Sequence, residues 1–557
     1  MMTNKELAEL IFPNVKETIE DLEKRYPERN LPNGAEVTRF APSPTGFLHT
    51  GSLFTSLVCK TVARQTNGIF FVRLEDTDTK REIQGSGNLL LEQLKVFNVY
   101  PDEGYMGDHE EGNYGPYIQS QRADIYRVVI KELLAQGKAY PCFCSPEELQ
   151  EIRKVQEAKK ENPGYYGEYA KCRNLDNDTR AKLIKEGKPF VIRFRSEGDH
   201  TNKIAVHDEV RGDFEIAQND LDIVIYKSDE LPTYHFAHAV DDHFMRTTTV
   251  IRGEEWVASL PIHVELFEAL GWKAPKYAHL PVIMKVDEET GNKRKLSKRK
   301  DAEAACSFFI EDGYPSEALI MYLMTIANSN FEAWIFEHNF KNMEEFQFSF
   351  DKMSADGALF DMGKLTFFVK EILGGKNKDQ MTELALAYTE KYQPEFNKLI
   401  SNNIDYFKEI INIEREKENP RKDYAKMSDI LPIVNFFYNE YYEDLVKDGF
   451  AYNFEKFSKE DIASSLEALK ELDASDCDEQ TWFGRMKEIG YKLGFAGNNK
   501  EYKANPEAFK GTTGDVAELL RVTLTSRKNS PNLYYVMKIL GKGECNRRLE
   551  KAISFLK

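Results

Sequence analysis

The chain has 557 residues, which at about 150 residues per domain implies three to four domains and excludes a single small module. Its 75 Lys and Arg against 92 Asp and Glu leave a formal net charge of −17, so global charge cannot hold it to DNA, RNA or an anionic membrane, and a polyanion must be met by local basic patches. A composition 41% hydrophobic and 30% charged is that of an ordinary globular protein with ample core. No run of about 18 apolar residues is present, so no transmembrane helix is expected. The first residues lack the apolar stretch of a signal peptide, and the seven scattered cysteines read as reduced thiols. A cytoplasmic location is expected.

Residues 1–34 are predicted to form one or two helices, with Leu7, Leu10, Ile11, Val15, Ile19 and Leu22 on an apolar stripe and a turn at Leu31-Pro32-Asn33-Gly34. They read as an appendage. From Glu36 short β-rich runs alternate with helices: a strand over 37–40, a Pro/Gly loop, a helix over 53–64, a strand over 69–74 and a helix over 89–97. That alternation predicts a parallel α/β sheet. Residues 101–220 are more irregular and read as an insertion, with Cys142-Phe143-Cys144, a Lys/Glu-rich helix near 146–160 and a strand over 190–194. The α/β pattern resumes with strands over 222–226 and 248–252 and a helix over 262–270. Beyond about 305 helical spacing prevails, with Val516, Leu519, Leu520 and Thr523 on one stripe and Leu533, Val536, Met537 and Leu540 on another, the latter ended by Gly541.

Two segments carry chemistry. In RFAPSPTGFLHTGS, residues 39–52, a strand feeds a proline-ordered turn and a helix begins near His49, so backbone N–H groups and an imidazole converge at a helix N-terminus suited to phosphate. Gly51, without a side chain, lets a flat base approach its backbone. Six of the eight residues 293–300 are basic and follow an acidic turn, a mobile cationic loop matched to a polyphosphate that gains charge during reaction. Taken singly, the first segment is also a plain strand-to-helix turn with a surface histidine, and the second a solvated charged face.

Together, His49-Thr50-Gly51-Ser52 and Lys295-Leu296-Ser297-Lys298-Arg299 resemble the two signature elements of class I aminoacyl-tRNA synthetases. With Arg73-Leu74-Glu75-Asp76-Thr77-Asp78, Leu231-Pro232-Thr233-Tyr234-His235-Phe236-Ala237 and Val250-Ile251-Arg252-Gly253-Glu254-Glu255-Trp256, the chain is similar to glutamyl-tRNA synthetases of bacterial type from about residue 37 onward, with residues 1–34 outside the likeness. Glutaminyl enzymes differ over residues 41–45. The resemblance implies an α/β chain: a Rossmann-like parallel-sheet catalytic domain split over 35–100 and 221–305, an acceptor-binding insertion over 101–220, a helical connecting domain over 306–375 and an all-α anticodon-binding region over 376–557. It implies that Arg39 holds the glutamate side-chain carboxylate with support from Tyr234, that Glu75 takes the α-ammonium with Ser43 and Ala41 nearby, and that Arg252 binds the α-carboxylate. ATP would be met by Glu255, Trp256, His49 and Gly51, and its phosphates by His49, Lys295 and Lys298. ATP with Mg²⁺, L-glutamate and tRNA(Glu) are the implied partners, tRNA(Gln) staying open, with activation dependent on bound tRNA; neither DNA nor a membrane is implied, and a monomer is.

Departures from the family pattern are confined to a few places. Lys300-Asp301-Ala302-Glu303 stand where many members have His-Gly-Ala, which puts the loop's closed conformation in question, and His238 stands where several have Asn. The family often binds zinc through Cys-x-Cys and a later Cys-x-His; here Cys142, Cys144 and Cys172 are present, the histidine position is Asn174, and Tyr166, Tyr169 or His200 are the candidate replacements. Packing thiols are the alternative. In the helical tail, Arg521 and the segment 514–525 match the family, while the aromatics Phe436, Phe437, Tyr438, Tyr441 and Tyr442 are read chiefly as core. A tRNA-modifying paralogue is disfavoured by the long helical tail, and a non-catalytic RNA-binding paralogue by the retained His49, Gly51, Lys295 and Lys298.

Overall fold

The computed structural model describes residues 1–44, 46–78 and 83–557. The chain divides into two compact units, residues 1–310 with 319–362, and residues 311–318 with 363–557.

In the first unit, α1 (Asn4–Ile11) and α2 (Ile19–Arg25) each open on a capping box, Thr3 with Glu6 and Thr18 with Asp21. They are no loose appendage. Leu7, Ala8, Phe12, Leu22 and Tyr26 are buried, and Glu23 pairs with His243 at 2.7 Å and Arg246 at 2.5 Å. The sheet follows: β1 (Val37–Phe40), α3 (Thr50–Gln65), β2 (Ile69–Val72), α4 (Ser86–Val96), β3 (Glu103–Tyr105) and β4 (Glu110–Glu111). β1 pairs with β2 and β2 with β3, both parallel, and β4 closes the edge antiparallel. Every residue of β1 is buried, as a strand covered on both faces requires.

The insertion contains α5 (Ala123–Ala135), β5 (Ala139–Cys142), α6 (Pro146–Lys159), α7 (Asn177–Lys185), β6 (Val191–Phe194), the hairpin β7 (Lys203–Asp208) and β8 (Gly212–Ala217), and β9 (Val224–Tyr226). β9 corrects an expectation: the strand predicted to resume the parallel sheet at 222–226 pairs antiparallel with β6. A short apolar run carries no information about its partner. The parallel sheet resumes after α8 (Tyr234–Phe244), with β10 (Thr249–Gly253), α9 (Leu260–Leu270) and β11 (Lys276–Leu280). The Thr248 N–H reaches the Val37 carbonyl at 3.0 Å, setting β10 beside β1. β12 (Ile283–Val286) and β13 (Lys293–Lys295) form an antiparallel pair.

The second unit is helical throughout. Phe436, Phe437, Tyr438 and Tyr442 are buried, so these four are core, as read, while Tyr441 is partly exposed. Of the basic residues there, Arg415 is buried on the Leu373 and Lys376 carbonyls, while Lys417, Arg421, Lys422 and Lys426 each pair with a carboxylate. Gly541, at φ +77°, breaks the helix Leu533–Leu556 where a C′ glycine was predicted. Among the described residues no helix is long and apolar enough to cross a membrane.

Candidate active site

A cleft of about 700 Å³ opens at the carboxyl ends of β1, β2 and β10 and is lined by Arg39, Ala41, Ser43, His49, Gly51, Glu75, Tyr234, Arg252, Glu255, Trp256, Lys295 and Lys298. All of the expected glutamate, ATP and catalytic positions therefore meet in one cavity. Ligands of open α/β sheets bind at this end of the strands because loops there converge on helix N-termini. Thr45, part of the first motif, lies outside the described residues.

His49 is the N-cap of α3, and its Nδ1 accepts the Gly51 N–H at 2.9 Å. This N–H of the helix start is taken by the imidazole. The consequence is a defined tautomer: Nδ1 is the acceptor, so in the neutral ring the proton sits on Nε2. Burial, then Lys298 and Lys295, push the His49 pKa down to about 4, so the neutral ring prevails near pH 7. A Cβ on Gly51 would stand 3.3 Å from His49 Nδ1 and meet little else, so that face of the helix start is open to a ligand.

The cationic segment is not a free loop. Residues Lys293–Lys295 are strand β13, Leu296 is buried, and its N–H donates to Ile283 at 2.9 Å. Asp301, one of the departures from the family, organises the rest: it takes both Arg294 amino groups, at 2.6 and 2.8 Å, and the Ser297 N–H at 2.8 Å. Those bonds, Arg294 first, hold its carboxyl well below the usual carboxylate range. Lys298 Nζ reaches the Phe47 carbonyl at 3.2 Å, Thr50 Oγ1 donates to the Glu303 carbonyl at 2.7 Å and Cys306 N–H to the Leu48 carbonyl at 3.0 Å. Without His-Gly-Ala the segment is nevertheless folded onto the His49 turn through the Lys298, Glu303 and Cys306 contacts, with Asp301 bracing it from within.

Beneath the cleft lies a buried ionic network. Asp242 accepts from Arg39 Nε at 3.1 Å and Arg73 NH1 at 2.8 Å; Glu75 Oε1 accepts from Arg73 NH2 at 2.9 Å; Asp241 accepts from Arg122 Nε at 2.6 Å. Three arginines meet three carboxylates. His238 Nδ1 stands 3.0 Å from Asp242, and burial pushes its pKa down to about 3. Arg252 differs: among the described residues no carboxylate pairs with it, and its nearest partners are imidazoles, with Nε 3.0 Å from His279 and NH2 3.2 Å from His263, followed by the Trp256 carbonyl at 3.4 Å and the Tyr234 hydroxyl at 3.5 Å. Burial keeps both histidines below their ordinary pKa, so the guanidinium is a buried cation with no carboxylate in direct contact among the described residues; it lines the cleft and is suited to a carboxylate. Tyr234 packs on Trp256 with ring centroids 4.3 Å apart, which makes Trp256 a wall of the cavity.

Away from the cleft, the sulfurs of Cys142, Cys144 and Cys172 lie within 4.8 Å of one another. The proposed completing residues do not reach them: Tyr166 binds the Asn162 carbonyl, Tyr169 binds Glu161, and His200 pairs with Asp220. Instead the Tyr165 hydroxyl, which the sequence reading missed, stands 3.4 Å from Cys142 Sγ and 3.3 Å from Cys144 Sγ. Three clustered thiols with a phenolic oxygen beside two of them suit zinc; the Cys144–Cys172 separation of 3.7 Å is close to the tetrahedral edge set by Zn–S bonds of about 2.3 Å. A tyrosine adjoining the expected positions carries no spacing signal of its own.

Similarity to known proteins agrees with this geometry. Residues 36–367 match the family described as tRNA synthetases class I (E and Q), catalytic domain, and residues 387–553 match an anticodon binding domain. The chain is 44% identical to the glutamate–tRNA ligase of Clostridium beijerinckii over 99% of this chain and all of that one, and 43% identical to that of Clostridium perfringens at the same coverage. Residues 1–34, which precede the family match, thus fall almost wholly within the likeness to these relatives. The glutamate–tRNA synthetase structure from Elizabethkingia anophelis superposes with a TM-score of 0.72 at 30% identity, covering 93% of this chain and all of that one. A buried arginine that no carboxylate touches among the described residues, a histidine-capped helix start and a lysine segment folded over it, on a chain so related throughout its length, place it in a family: it belongs to the glutamyl-tRNA synthetases, within the class I tRNA synthetases of the E and Q type.

Proposed function

We propose that the chain is an ATP-dependent glutamate–tRNA ligase. Glutamate lies with its α-carboxylate on Arg252, its side-chain carboxylate on Arg39 with Tyr234 beside it, and its ammonium against Glu75, near Ala41 and Ser43. Arg39 is oriented through Nε by Asp242, and a guanidinium fork suits a carboxylate better than an amide. The α-carboxylate oxygen attacks the α-phosphorus of ATP in line, the bond to the β-phosphate oxygen breaks, and pyrophosphate leaves; Mg²⁺ accompanying ATP would supply further positive charge to the phosphates. His49 donates from Nε2–H to the transferring phosphate, and Lys295 and Lys298 neutralise charge on the departing one. The adenine lies against Gly51 and Trp256, with Glu255 at the rim. A ribose hydroxyl of the tRNA 3′ end then attacks the adenylate carbonyl, giving Glu-tRNA and AMP.

In this reading residues 35–100 and 221–305 are catalytic, 101–220 meets the acceptor end, 306–375 the stem and 376–557 the anticodon. The chain would act as a monomer. Zinc would be held by Cys142, Cys144 and Cys172 with the Tyr165 oxygen, supplying structural cross-links to the insertion. The single observation that carries the reading is the convergence of Arg252, with no carboxylate in direct contact among the described residues, and His49, Lys295 and Lys298 on one cleft.

The test is aminoacylation with labelled glutamate and ATP on purified tRNA(Glu) and tRNA(Gln) separately, with Lys298→Ala as control. Charging of tRNA(Glu) alone makes the enzyme discriminating, and charging of both calls for a partner that corrects the product. A folded enzyme that charges neither ends the proposal.

A further inference from the structure

Arg252 is oriented by residues outside the expected site. It lies directly opposite His279 in the parallel β10–β11 pair. An arginine Nε can only donate, so His279 Nε2, 3.0 Å away, must carry a lone pair and the ring proton must sit on Nδ1. That Nδ1 is 2.6 Å from Asp208 Oδ2. Asp208 also accepts the N–H groups of Val210 and Arg211 at 3.0 Å and of His279 at 3.1 Å, a set of donors that calls for an ionised carboxylate. Asp208 and His279 are fully buried, yet Asp208 ends strand β7 of the insertion's hairpin, whose outer residues are exposed. On the other side of Arg252, His263 Nδ1 accepts from NH2 at 3.2 Å and its Nε2 faces His235 Nδ1 at 3.0 Å.

We propose that Asp208 and His279 are positioning residues of the amino-acid site: the hairpin carboxylate sets the His279 tautomer, and that imidazole holds Arg252 by Nε so that its amino groups face the substrate carboxylate. The inference rests on the reading of Arg252 as the α-carboxylate ligand. It adds that the insertion shapes glutamate affinity through the tip of β7.

The test measures aminoacylation kinetics with glutamate varied at saturating ATP and tRNA, and with ATP varied, for His279→Asn, His279→Gln, Asp208→Asn and Arg252→Lys. An asparagine amide takes the place of Nδ1 and reaches Asp208 but offers nothing at Nε2; a glutamine oxygen takes the place of Nε2. His279→Asn should raise the KM for glutamate about tenfold, the loss of one hydrogen bond to a charged group, without moving the KM for ATP. His279→Gln should recover most of that loss although it forfeits the Asp208 bond. Asp208→Asn, unchanged in shape, should raise the glutamate KM severalfold, and it serves as the test if His279→Asn does not fold. Equal glutamate KM values for the two His279 variants, or losses that follow Tm and move both KM values together, would overturn the proposal. If Arg252→Lys raises the glutamate KM and His279→Asn and Asp208→Asn do not, the positioning role fails alone; if Arg252→Lys leaves it unchanged, the reading of Arg252 fails with it.

Discussion

Asp301→Ala should open the lysine segment without harming the glutamate pocket. The carboxylate takes two Arg294 amino groups and the Ser297 N–H, all within 2.8 Å, and is itself buried. Hydrogen bonds to a charged group contribute about 1.5–3 kcal/mol each where buried. The Arg294 side chain is 25% exposed, so solvent screens part of this and a total near 2–3 kcal/mol is reasonable. If that energy holds Lys295 and Lys298 over the His49 turn, its loss lowers kcat about 30- to 150-fold at 1.36 kcal/mol per decade. The glutamate KM should stay put, because Arg252, Arg39 and Glu75 make no contact with Asp301. Asp301→Asn, keeping one acceptor, should fall in between. The Asp301 carboxyl lies below its ordinary pKa, so its contribution is complete above the unfolded value near 4 and is lost only as pH falls through the lower folded value; the effect should be constant from about pH 5 upward. Pyrophosphate exchange in the presence of tRNA, with melting curves as control, reads these quantities. A kcat within threefold of the parent at unchanged Tm would refute the argument.

His49→Asn should retain the α3 cap, since Asn is a good N-cap, while losing Nε2–H; a fall in kcat of about 10²- to 10³-fold at nearly constant Tm is expected. In the free enzyme the His49 ring should titrate by NMR near pH 4, with the midpoint moving up in Lys298→Ala; because the folded pKa lies below the unfolded 6.5, the ring's contribution to stability is present above about 6.5 and declines as pH falls toward 4, and a midpoint above 6 would contradict its burial beside the lysines. Gly51→Ala should fold with unchanged or slightly higher Tm, because alanine favours a helix and the new Cβ meets only the His49 ring, while the KM for ATP rises about tenfold or more; an unchanged ATP KM would remove the adenine from that face. Elemental analysis should find about one zinc per chain, with the content lowered in Cys144→Ser and in Tyr165→Phe; full zinc in Tyr165→Phe would exclude the hydroxyl as the fourth donor.

Much of this protein is legible because the relevant physics is local. The run at 37–40 is a strand because it is short, holds the β-branched Val37 and Thr38 and the aromatic Phe40, and is bounded by turn residues, and His49 caps a helix because a polar side chain precedes an apolar stripe after a proline turn. Gly541 ends a helix because its φ of +77° suits glycine. The residues of the cleft were nameable because each sits in a short segment whose order is itself the signal. The partners of those residues were not. Arg39 meets Asp242 across 203 positions, and Asp208 meets His279 across 71, pairings that no periodicity encodes. Tyr165 came to the thiols in place of Tyr166, Tyr169 and His200 because side-chain direction, and not proximity in sequence, decides which donor arrives. Asp301 looked like a defect in the second motif until its carboxylate was seen to take both Arg294 amino groups and a backbone N–H. β9 read as a strand of the parallel sheet and joined another, because an apolar run fixes the burial of a strand but leaves its neighbour to whichever edge the folded chain presents. Sequence alone determined which groups would gather around one cleft; the tertiary structure decided which buried charges pair with a carboxylate and which, at Arg252, is held by imidazoles instead, since burial and the balance of ions in a low-dielectric interior depend on residues that are neighbours only once the chain has folded.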